Sequence, residues 1–359
     1  MLLILFASMM SRSQEFTLIH DGLTRSYKLH LPSDYDQDSL YPLVVNMHGM
    51  GSNAIEQEFY SEFDNVADTG RFIVVYPNGI NSVWNISSEE GTDDVGFVSC
   101  LIDTINTQYS IDLMRVYATG MSMGGFMSYR LACELSGRIA AIGSVAGLQA
   151  YYPCAPERPV PVVQFHGTAD EVVPYIGVST TINNWLNYNQ CPDTATITYL
   201  PDIDTTDFST VTTYNYGPCN NLSEVILYSI INGEHTWPGS QIYIGITNQD
   251  IKASNEIWNF FKKYTLAGPL GFNNNPGQQE MSCIIYPNPV DDFASVEIPS
   301  CIHGPYMLKI LSFDGREVLK TGYFNDNRIN INFSPFPQGL YFALLLTNSG
   351  ESISKIIIK

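Results

Sequence analysis

The chain has 359 residues, 45% of them hydrophobic, and a formal net charge of −19 at pH 7. This length and hydrophobicity allow a substantial buried core, and we expect one large domain with a smaller one. The acidic balance argues against binding of nucleic acid or of a membrane surface through a basic patch. Before Ser282 the chain carries 11 basic and 29 acidic residues, so the negative charge belongs to its first part.

The first residues contain an apolar stretch from Leu2 to Met10, followed by small and polar residues. The stretch is shorter than the about 20 residues that span a bilayer, so we expect no integral membrane segment. We interpret residues 1–14 as the end of an export signal. Because no basic residues precede the apolar stretch, the signal is expected to be truncated; a buried first strand is the alternative.

Strands and helices alternate along residues 15–264. Apolar, β-branched runs predict strands at "PLVVNMHG", "RFIVVYPNG", "RVYATGMS", "IAAIGSVAG", "VPVVQFHGTAD" and "EVILYSIINGEH". Helical spacing of apolar residues marks "DDVGFVSCLIDTINTQY", "MGGFMSYRLACELS", "VSTTINNWLNYN" and "DIKASNEIWNFFKKY". This alternation predicts an α/β fold with a mostly parallel sheet, covered by helices on both faces. Ligands and chemistry gather at the carboxyl ends of the strands in such a sheet.

The composition changes after this region. Residues 265–281 contain three Gly, two Pro and three consecutive Asn, which is typical of a linker. In residues 282–359, "NRININF" alternates Ile329, Ile331 and Phe333 with polar residues, and glycine turns separate apolar runs. The pattern predicts a small, sandwich-like, all-β C-terminal module.

A candidate nucleophile lies between a predicted strand and a predicted helix. Ser122 is the centre of "GMSMG", a G-x-S-x-G pattern that forms a sharp turn at such a junction and raises the serine above the sheet. The pattern by itself is also compatible with a tight structural turn. The strand and helix on its two sides favour the nucleophile.

A serine nucleophile requires a base, and the base requires an acid to orient it. Asp170 follows the strand in "QFHGTAD", and His235 follows a later strand in "SIINGEHTWPG". The chain order Ser, Asp, His, with each residue just past a strand, is that of α/β-hydrolases. We therefore predict a triad of Ser122, Asp170 and His235.

The oxyanion that forms on attack needs N–H donors already in place. The residue after the nucleophile, Met123, is expected to supply one backbone N–H. The second is expected from the loop after an early strand, "HGMG", where we assign it to Met50, with Gly49 as the alternative. His166, at a strand end, is interpreted as structural.

The series of motifs resembles one known family. "HGMGSNA", "FIVVYPNG" followed by Trp84, "DDVGF", "GMSMGGFMSYRLACE", "PVVQFHGTAD" and "GEHTWPG" are similar to motifs of the poly(3-hydroxybutyrate) depolymerase and feruloyl esterase family of carbohydrate-esterase-like hydrolases. The resemblance covers residues 15–264. It implies an α/β-hydrolase fold and ester hydrolysis through an acyl-enzyme, with Ser122, Asp170 and His235 at the positions of the family's triad. No metal or organic cofactor is expected.

The same resemblance implies a disulfide pattern. Cys133 with Cys154 and Cys191 with Cys219 occupy positions where family members carry disulfides, whereas Cys100 is expected to be a buried thiol. In the C-terminal module, Cys283 and Cys301 are a candidate pair. An exported chain favours disulfides, while in a cytosolic chain all seven cysteines would be ordinary thiols.

The C-terminal module has a resemblance of its own. "IIYPNPVDDFASVEI", "YMLKILSFDGREVLKTG" and "PQGLYFALLLTNSGESISKIIIK" look like the sorting domain of the type IX secretion system. The resemblance implies that the secretion machinery is a partner and that the protein is extracellular or at the cell surface of a Gram-negative bacterium. A substrate-binding β module is the alternative.

The ester itself is less constrained by the sequence. His48, Trp84, Tyr175 and Trp237 lie beside motif loops and are candidates for substrate contact, although buried packing is also compatible with the two tryptophans. By family analogy we expect feruloyl or acetyl esters on plant polysaccharide. Polyhydroxybutyrate is the alternative substrate. A catalytically inactive surface or adhesion protein on the same fold and a serine peptidase are the rival functions.

Overall fold

The computed structural model describes residues 13–87, 90–151, 153–269, 284–298, 305–312, 316–326, 328–347 and 350–358. The chain divides into two compact units between residues 270 and 271. The predicted signal, residues 1–14, lies almost entirely outside the described residues. Cys283 and Cys301 also lie outside them.

A ten-stranded mixed sheet forms the centre of the first unit. Its strands are β1 (Ser13–His20), β2 (Leu23–His30), β3 (Tyr41–Met47), β4 (Ile73–Pro77), β5 (Ile111–Met121), β6 (Ala141–Val145), β7 (Val162–Gly167), β8 (Thr196–Tyr199), β9 (Thr210–Tyr216) and β10 (Val225–Ile231). The order across the sheet is β1-β2-β4-β3-β5-β6-β7-β10-β9-β8. Strands β4 to β10 in this order run parallel, and the pairs at the two edges run antiparallel.

The parallel strands are those that the apolar runs predicted. Every residue of β3, β4, β6 and β7 is buried, as expected for strands that are covered on both faces. Adjacent residues of one strand therefore enter different cores. Val45 of β3 packs into the core on one face, and Val44 packs into the core on the other.

In the described part of this unit, six α-helices cover the two faces: α1 (Ala54–Ser61), α2 (Phe63–Gly70), α3 (Asp94–Gln108), α4 (Met123–Glu134), α5 (Ile176–Asn189) and α6 (Ala253–Phe261). Apolar residues of α3, α4 and α5 share one core, and those of α1, α2 and α6 share the other. The sequence predicted α3 to α6. It did not predict α1, α2 or the antiparallel pairs at the sheet edges.

Regular structure continues a few residues beyond the predicted end of the catalytic domain. The short strands β11 (Tyr264–Thr265) and β12 (Gly268–Pro269) pair with each other. The Leu266 amide donates to the Met114 carbonyl at 2.9 Å, which attaches this hairpin to β5. The exact domain boundaries stay predictions.

The second unit is entirely β in its described residues. Its strands are β13 (Ile284–Tyr286), β14 (Phe293–Glu297), β15 (Met307–Ser312), β16 (Glu317–Lys320), β17 (Arg328–Asn332), β18 (Gly339–Thr347) and β19 (Gly350–Ile358). They form two antiparallel sheets, β13-β14-β17 and β16-β15-β18-β19. Side chains from both sheets, including Val296 and Leu308, share one core, as expected for the predicted small all-β module.

Candidate active site

Ser122 lies on a strained turn at the carboxyl edge of the sheet. Strand β5 ends at Met121 and helix α4 begins at Met123, with Ser122 between them at φ 51° and ψ −117°. A non-glycine residue with this backbone costs free energy, and such strain is concentrated at functional sites. The Ser122 amide donates to the Val145 carbonyl at the end of β6, at 2.8 Å, which fixes the turn against the neighbouring strand.

The glycines on both sides of Ser122 allow β3 to pass close to the turn. A methyl group on Gly120 would lie 2.4 Å from the Met47 carbonyl oxygen, and one on Gly124 would lie 2.1 Å from the same atom. These distances are shorter than any van der Waals contact. The pattern G-x-S-x-G is therefore required here by the closeness of the end of β3.

Asp170 and His235 are hydrogen-bonded to each other. The Nδ1 atom of His235 lies 2.7 Å from Oδ2 of Asp170. Because the carboxylate accepts, Nδ1 carries the proton, which leaves the lone pair of the neutral ring on Nε2. The Asp170 side chain is fully buried, and that of His235 is 18% exposed. This arrangement gives a base with a fixed tautomer.

The surroundings of Asp170 favour its ionised form. Burial raises the pKa of this carboxyl, but hydrogen bonds from His235 and from the Val173 amide outweigh the burial and hold the pKa below its ordinary value. Its Oδ1 atom accepts from the Val172 amide at 2.9 Å and from the Val173 amide at 2.8 Å. The turn that follows Asp170 therefore fixes the carboxylate as an anion facing His235.

His166 also stabilises the turn that follows Asp170. Its Nε2 donates to the Val173 carbonyl at 2.7 Å, so its Nδ1 accepts from the Gln164 side-chain amide at 3.0 Å. Burial lowers the pKa of His166, which agrees with a neutral ring. Gln164 in turn accepts from Tyr129 of α4 at 2.8 Å. The sequence assigned His166 a structural role but gave no sign of this chain of bonds, whose members come from separate elements.

The loop after β3 lies against Ser122. A methyl group on Gly49 would be 3.4 Å from Cβ of Ser122, so the backbone of the predicted oxyanion loop is adjacent to Ser122. The Met50 side chain is 67% exposed. The roles of Met50 and Met123 as N–H donors stay predictions, and the choice between Met50 and Gly49 stays open.

Three of the four predicted substrate contacts are buried. Trp84 and Trp237 are 3% and 1% exposed, and His48 is fully buried. The indole of Trp237 donates to Ser254 Oγ at 3.0 Å. Tyr175 is half-buried, and its hydroxyl donates to Ser229 Oγ at 2.8 Å. Direct contact of these residues with a substrate stays a prediction.

Both cysteine pairs expected in the first unit form disulfides. Cys133 of α4 is bonded to Cys154, and Cys191 after α5 is bonded to Cys219. Cys100, predicted to be a buried thiol, is half-buried and unpaired. Within the described residues, no group of three or more His, Cys, Asp or Glu side chains is arranged to hold a metal ion.

The fold and the site define an α/β-hydrolase. The order of strands, the serine turn after a central strand, and the acid and histidine after two later strands are the features of that class. A solved acetyl xylan esterase from Aspergillus awamori has a similar fold, with a TM-score of 0.51 and 15% identity, over 62% of this chain and 94% of that one.

Family comparisons agree with both motif series. Residues 25–155 match the family "Esterase PHB depolymerase", and residues 284–359 match the family "Secretion system C-terminal sorting domain". These matches confirm the two resemblances drawn from the sequence. The first part of the chain is related to carboxylic ester hydrolases, and the C-terminal region carries a sorting tail typical of secreted or surface proteins.

Two curated relatives illustrate the similarity. A bifunctional acetylxylan esterase/xylanase from Neocallimastix patriciarum is 32% identical over 71% of this chain and 36% of its own length. Feruloyl esterase C from Emericella nidulans is 29% identical over 47% of this chain and 64% of its own length. The chain therefore spans less than two thirds of either of these relatives. No helix among the described residues is long and apolar enough to cross a membrane.

Proposed function

We propose that the protein is an exported serine esterase that cleaves carboxylic esters through an acyl-enzyme. The observation that carries the proposal is the hydrogen bond between buried Asp170 and His235, at the same edge of the sheet as the strained turn of Ser122. Among the described residues, this edge combines a nucleophile, a base of fixed tautomer and an ionised acid.

In the first half of the reaction, His235 Nε2 accepts the hydroxyl proton of Ser122, and Oγ forms a bond to the acyl carbon. The C–O bond of the ester then breaks, and the leaving alcohol takes the proton from His235. In the second half, His235 removes a proton from water, whose oxygen attacks the acyl carbon. The bond to Oγ breaks, Ser122 regains its proton, and the acid is released.

Asp170 stabilises the imidazolium that forms in each half-reaction. Its carboxylate stays ionised because it accepts hydrogen bonds from the Val172 and Val173 amides and from His235. The backbone N–H groups of Met123 and Met50 are assigned to hold the oxyanion, each contributing about 3 kcal/mol to the transition state.

For the substrate, we propose acetyl or feruloyl esters on plant polysaccharide. Support comes from the fungal relatives, which are named acetylxylan and feruloyl esterases. The alternative is polyhydroxybutyrate, supported by the name of the family that residues 25–155 match. We further propose that the C-terminal tail engages the type IX machinery of a Gram-negative bacterium.

The serine mechanism is tested with the full chain and the Ser122→Ala variant. The substrate panel contains methyl ferulate, acetylated xylan, a nitrophenyl acetate and polyhydroxybutyrate particles. Removal of the nucleophile is expected to lower kcat by about 10⁶-fold, with an unchanged melting temperature. Ser179→Ala, on the exposed side of α5, is the matched control. Retention of most activity in Ser122→Ala would contradict the mechanism.

The same panel separates the rival functions. Preference for polyhydroxybutyrate over the other esters would favour the alternative substrate. A catalytically inactive protein would neither hydrolyse the panel nor be labelled at Ser122 by a fluorophosphonate probe, whereas the proposed esterase is labelled there and not in the Ser122→Ala variant.

A further inference from the structure

The segment after β4 is bonded to the predicted oxyanion loop at two points. The Gly51 amide donates to the Ser82 carbonyl at 2.8 Å, and the Gly79 amide donates to His48 Nε2 at 3.0 Å. His48 Nδ1 donates to the Gly49 carbonyl at 2.7 Å, so both ring nitrogens are used. Burial lowers the pKa of His48, in agreement with the neutral ring that these bonds require.

Trp84, at the end of this segment, connects both sides of the predicted oxyanion hole. Its indole N–H donates to the His48 carbonyl at 2.9 Å. Its backbone N–H donates to Sδ of Met123 at 3.2 Å. One contact therefore fixes the residue before Gly49 and Met50, and the other fixes the side chain of the residue after the nucleophile.

Asn85, the residue after Trp84, is hydrogen-bonded through both its backbone amide and its backbone carbonyl. The Asn85 amide donates to Asp94 Oδ2 at 2.7 Å, and the Asn85 carbonyl accepts from Arg130 of α4 at 2.8 Å. Asp94 Oδ1 accepts from Arg25 at 2.6 Å, and both side chains of this ion pair are 1% exposed. The guanidinium carbon of Arg25 lies 3.7 Å from the ring centre of Phe97.

We propose that Trp84 is a positioning residue of the oxyanion hole and that the Arg25–Asp94 ion pair holds it in place through Asn85. This inference rests on the proposed function. It gives a role to the second aspartate of the "DDVGF" motif, for which the triad offers none. A buried ion pair carries a desolvation cost that packing alone does not require. In this pair, the second carboxylate oxygen of Asp94 accepts the hydrogen bond from the backbone amide beside Trp84.

The proposed role of Trp84 depends on how firmly the loop donors are held. Oxyanion donors act only when they are fixed within a fraction of an ångström of the developing charge, and loops achieve this through surrounding bonds. Because the indole N–H is the only group of Trp84 that binds the His48 carbonyl in the structure as described, replacing tryptophan with phenylalanine removes that bond and keeps an aromatic ring. The N–H groups of the loop then lose their fixed direction.

The first test compares Trp84→Phe with wild type on an oxygen ester and on the matching thiono ester. Sulfur accepts hydrogen bonds weakly, so the thiono ester depends less on the oxyanion hole. We expect kcat for the oxygen ester to fall 10- to 100-fold with little change in KM, and kcat for the thiono ester to fall much less. Trp258→Phe, the same substitution in the core on the other sheet face, is the control. It should leave the ratio of kcat for the oxygen ester to kcat for the thiono ester unchanged.

The second test addresses the ion pair with Asp94→Asn. The matched control is Asp93→Asn, because the neighbouring Asp93 is 53% exposed and pairs with His20. We expect Asp94→Asn to lower the ratio of kcat for the oxygen ester to kcat for the thiono ester, as Trp84→Phe does. In the double variant, the fold-loss of kcat for the oxygen ester should be smaller than the product of the two single fold-losses. An unchanged ratio in a folded Asp94→Asn variant would overturn the role of the ion pair. If Asp94→Asn fails to fold, Trp84→Phe still decides the role of Trp84.

Equal slowing of both esters in Trp84→Phe, or no slowing, would overturn the positioning role while the esterase function stands. A wild-type chain that hydrolyses neither ester would instead contradict the proposed function, and the assignment of an oxyanion hole with it.

Discussion

The two units of the molecule differ in what they bury. The first unit buries ionisable side chains that include Arg25, Asp94, His166 and Asp170, each with hydrogen-bonded partners. In the second unit, no buried polar or charged side chain occurs among the residues whose burial the structure describes. Its core is formed by aliphatic and aromatic residues from both sheets.

This difference separates two ways of stabilising a fold. Buried polar groups cost free energy unless they are paired, and they fix directions that apolar contacts leave free. Some of those in the first unit, such as His166 and Asp170, lie where the proposed chemistry needs fixed directions. The core of the second unit is formed by apolar packing instead.

Among residues other than Ser122, the largest effect is expected for Asp170→Asn. The amide cannot hold His235 in the required tautomer as an anion does, so kcat should fall by about 10⁴-fold. The control is Asp103→Asn, at an aspartate that is 64% exposed and pairs with Arg138. Steady-state kinetics on any ester of the panel measures the change. A loss smaller than 10-fold would contradict the role of Asp170.

In the second unit, Leu308→Ala should affect stability alone. Leu308 is fully buried in the core between the sheets, and its truncation is expected to cost about 3 kcal/mol of unfolding free energy. Denaturant unfolding of the full chain should show an earlier transition for this unit. An accompanying fall in kcat for a soluble ester would break the proposed division between the units.

A smaller catalytic effect is expected for His166→Ala. This change removes the donor to the Val173 carbonyl and loosens the turn that holds Asp170, so kcat should fall about 10- to 100-fold. His166→Gln places an amide N–H near the lost Nε2 and should restore most of the rate. Failure of glutamine to restore activity more than alanine would assign the loss to packing.

The pH dependence of stability should reflect a buried carboxyl group in the first unit. Burial is the main cause that raises the pKa of Asp64 to about 8, and the neighbouring Glu58 carboxyl raises it further. The hydrogen bond from Tyr76 and the positive charge of Lys28 act in the opposite direction. His30 Nδ1 also lies 3.2 Å from its carboxylate. The folded state thus keeps a proton that the unfolded chain releases near pH 4. Stability should therefore fall as pH rises from about 4 to 8.

The Asp64→Asn variant, which cannot titrate, is expected to lose this slope. Thermal unfolding across the pH series, with Asp103→Asn as the exposed control, measures it. An unchanged slope in Asp64→Asn would show that Asp64 ionises normally in the folded chain.

Much of the fold was predictable because its signals are local. The strands β3 to β7 and β10 are near-continuous apolar runs, and α3 to α6 have clear helical spacing, so each segment specifies its own type. The positions of Ser122, Asp170 and His235 after successive strands were predictable for the same reason. Strands of one parallel sheet present their carboxyl ends at one edge.

The rest depends on contacts between distant segments. Arg25 and Asp94 are 69 residues apart, and their pairing has no local signature in the sequence. Trp84 shows the same difficulty, since a tryptophan beside a motif loop is equally suited to a pocket wall or to a buried support. The short helices α1 and α2 were missed because eight residues each give too little periodicity.

The disulfide between Cys133 and Cys154 has a consequence for maturation. The 21-residue interval between these cysteines contains β6, whose Val145 carbonyl accepts the amide proton of Ser122. Closing such a loop stabilises a fold by about 3 kcal/mol, and only an oxidising compartment closes it. We therefore expect the newly made chain to reach its full stability, including that of the turn at Ser122, only after it leaves the reducing cytoplasm.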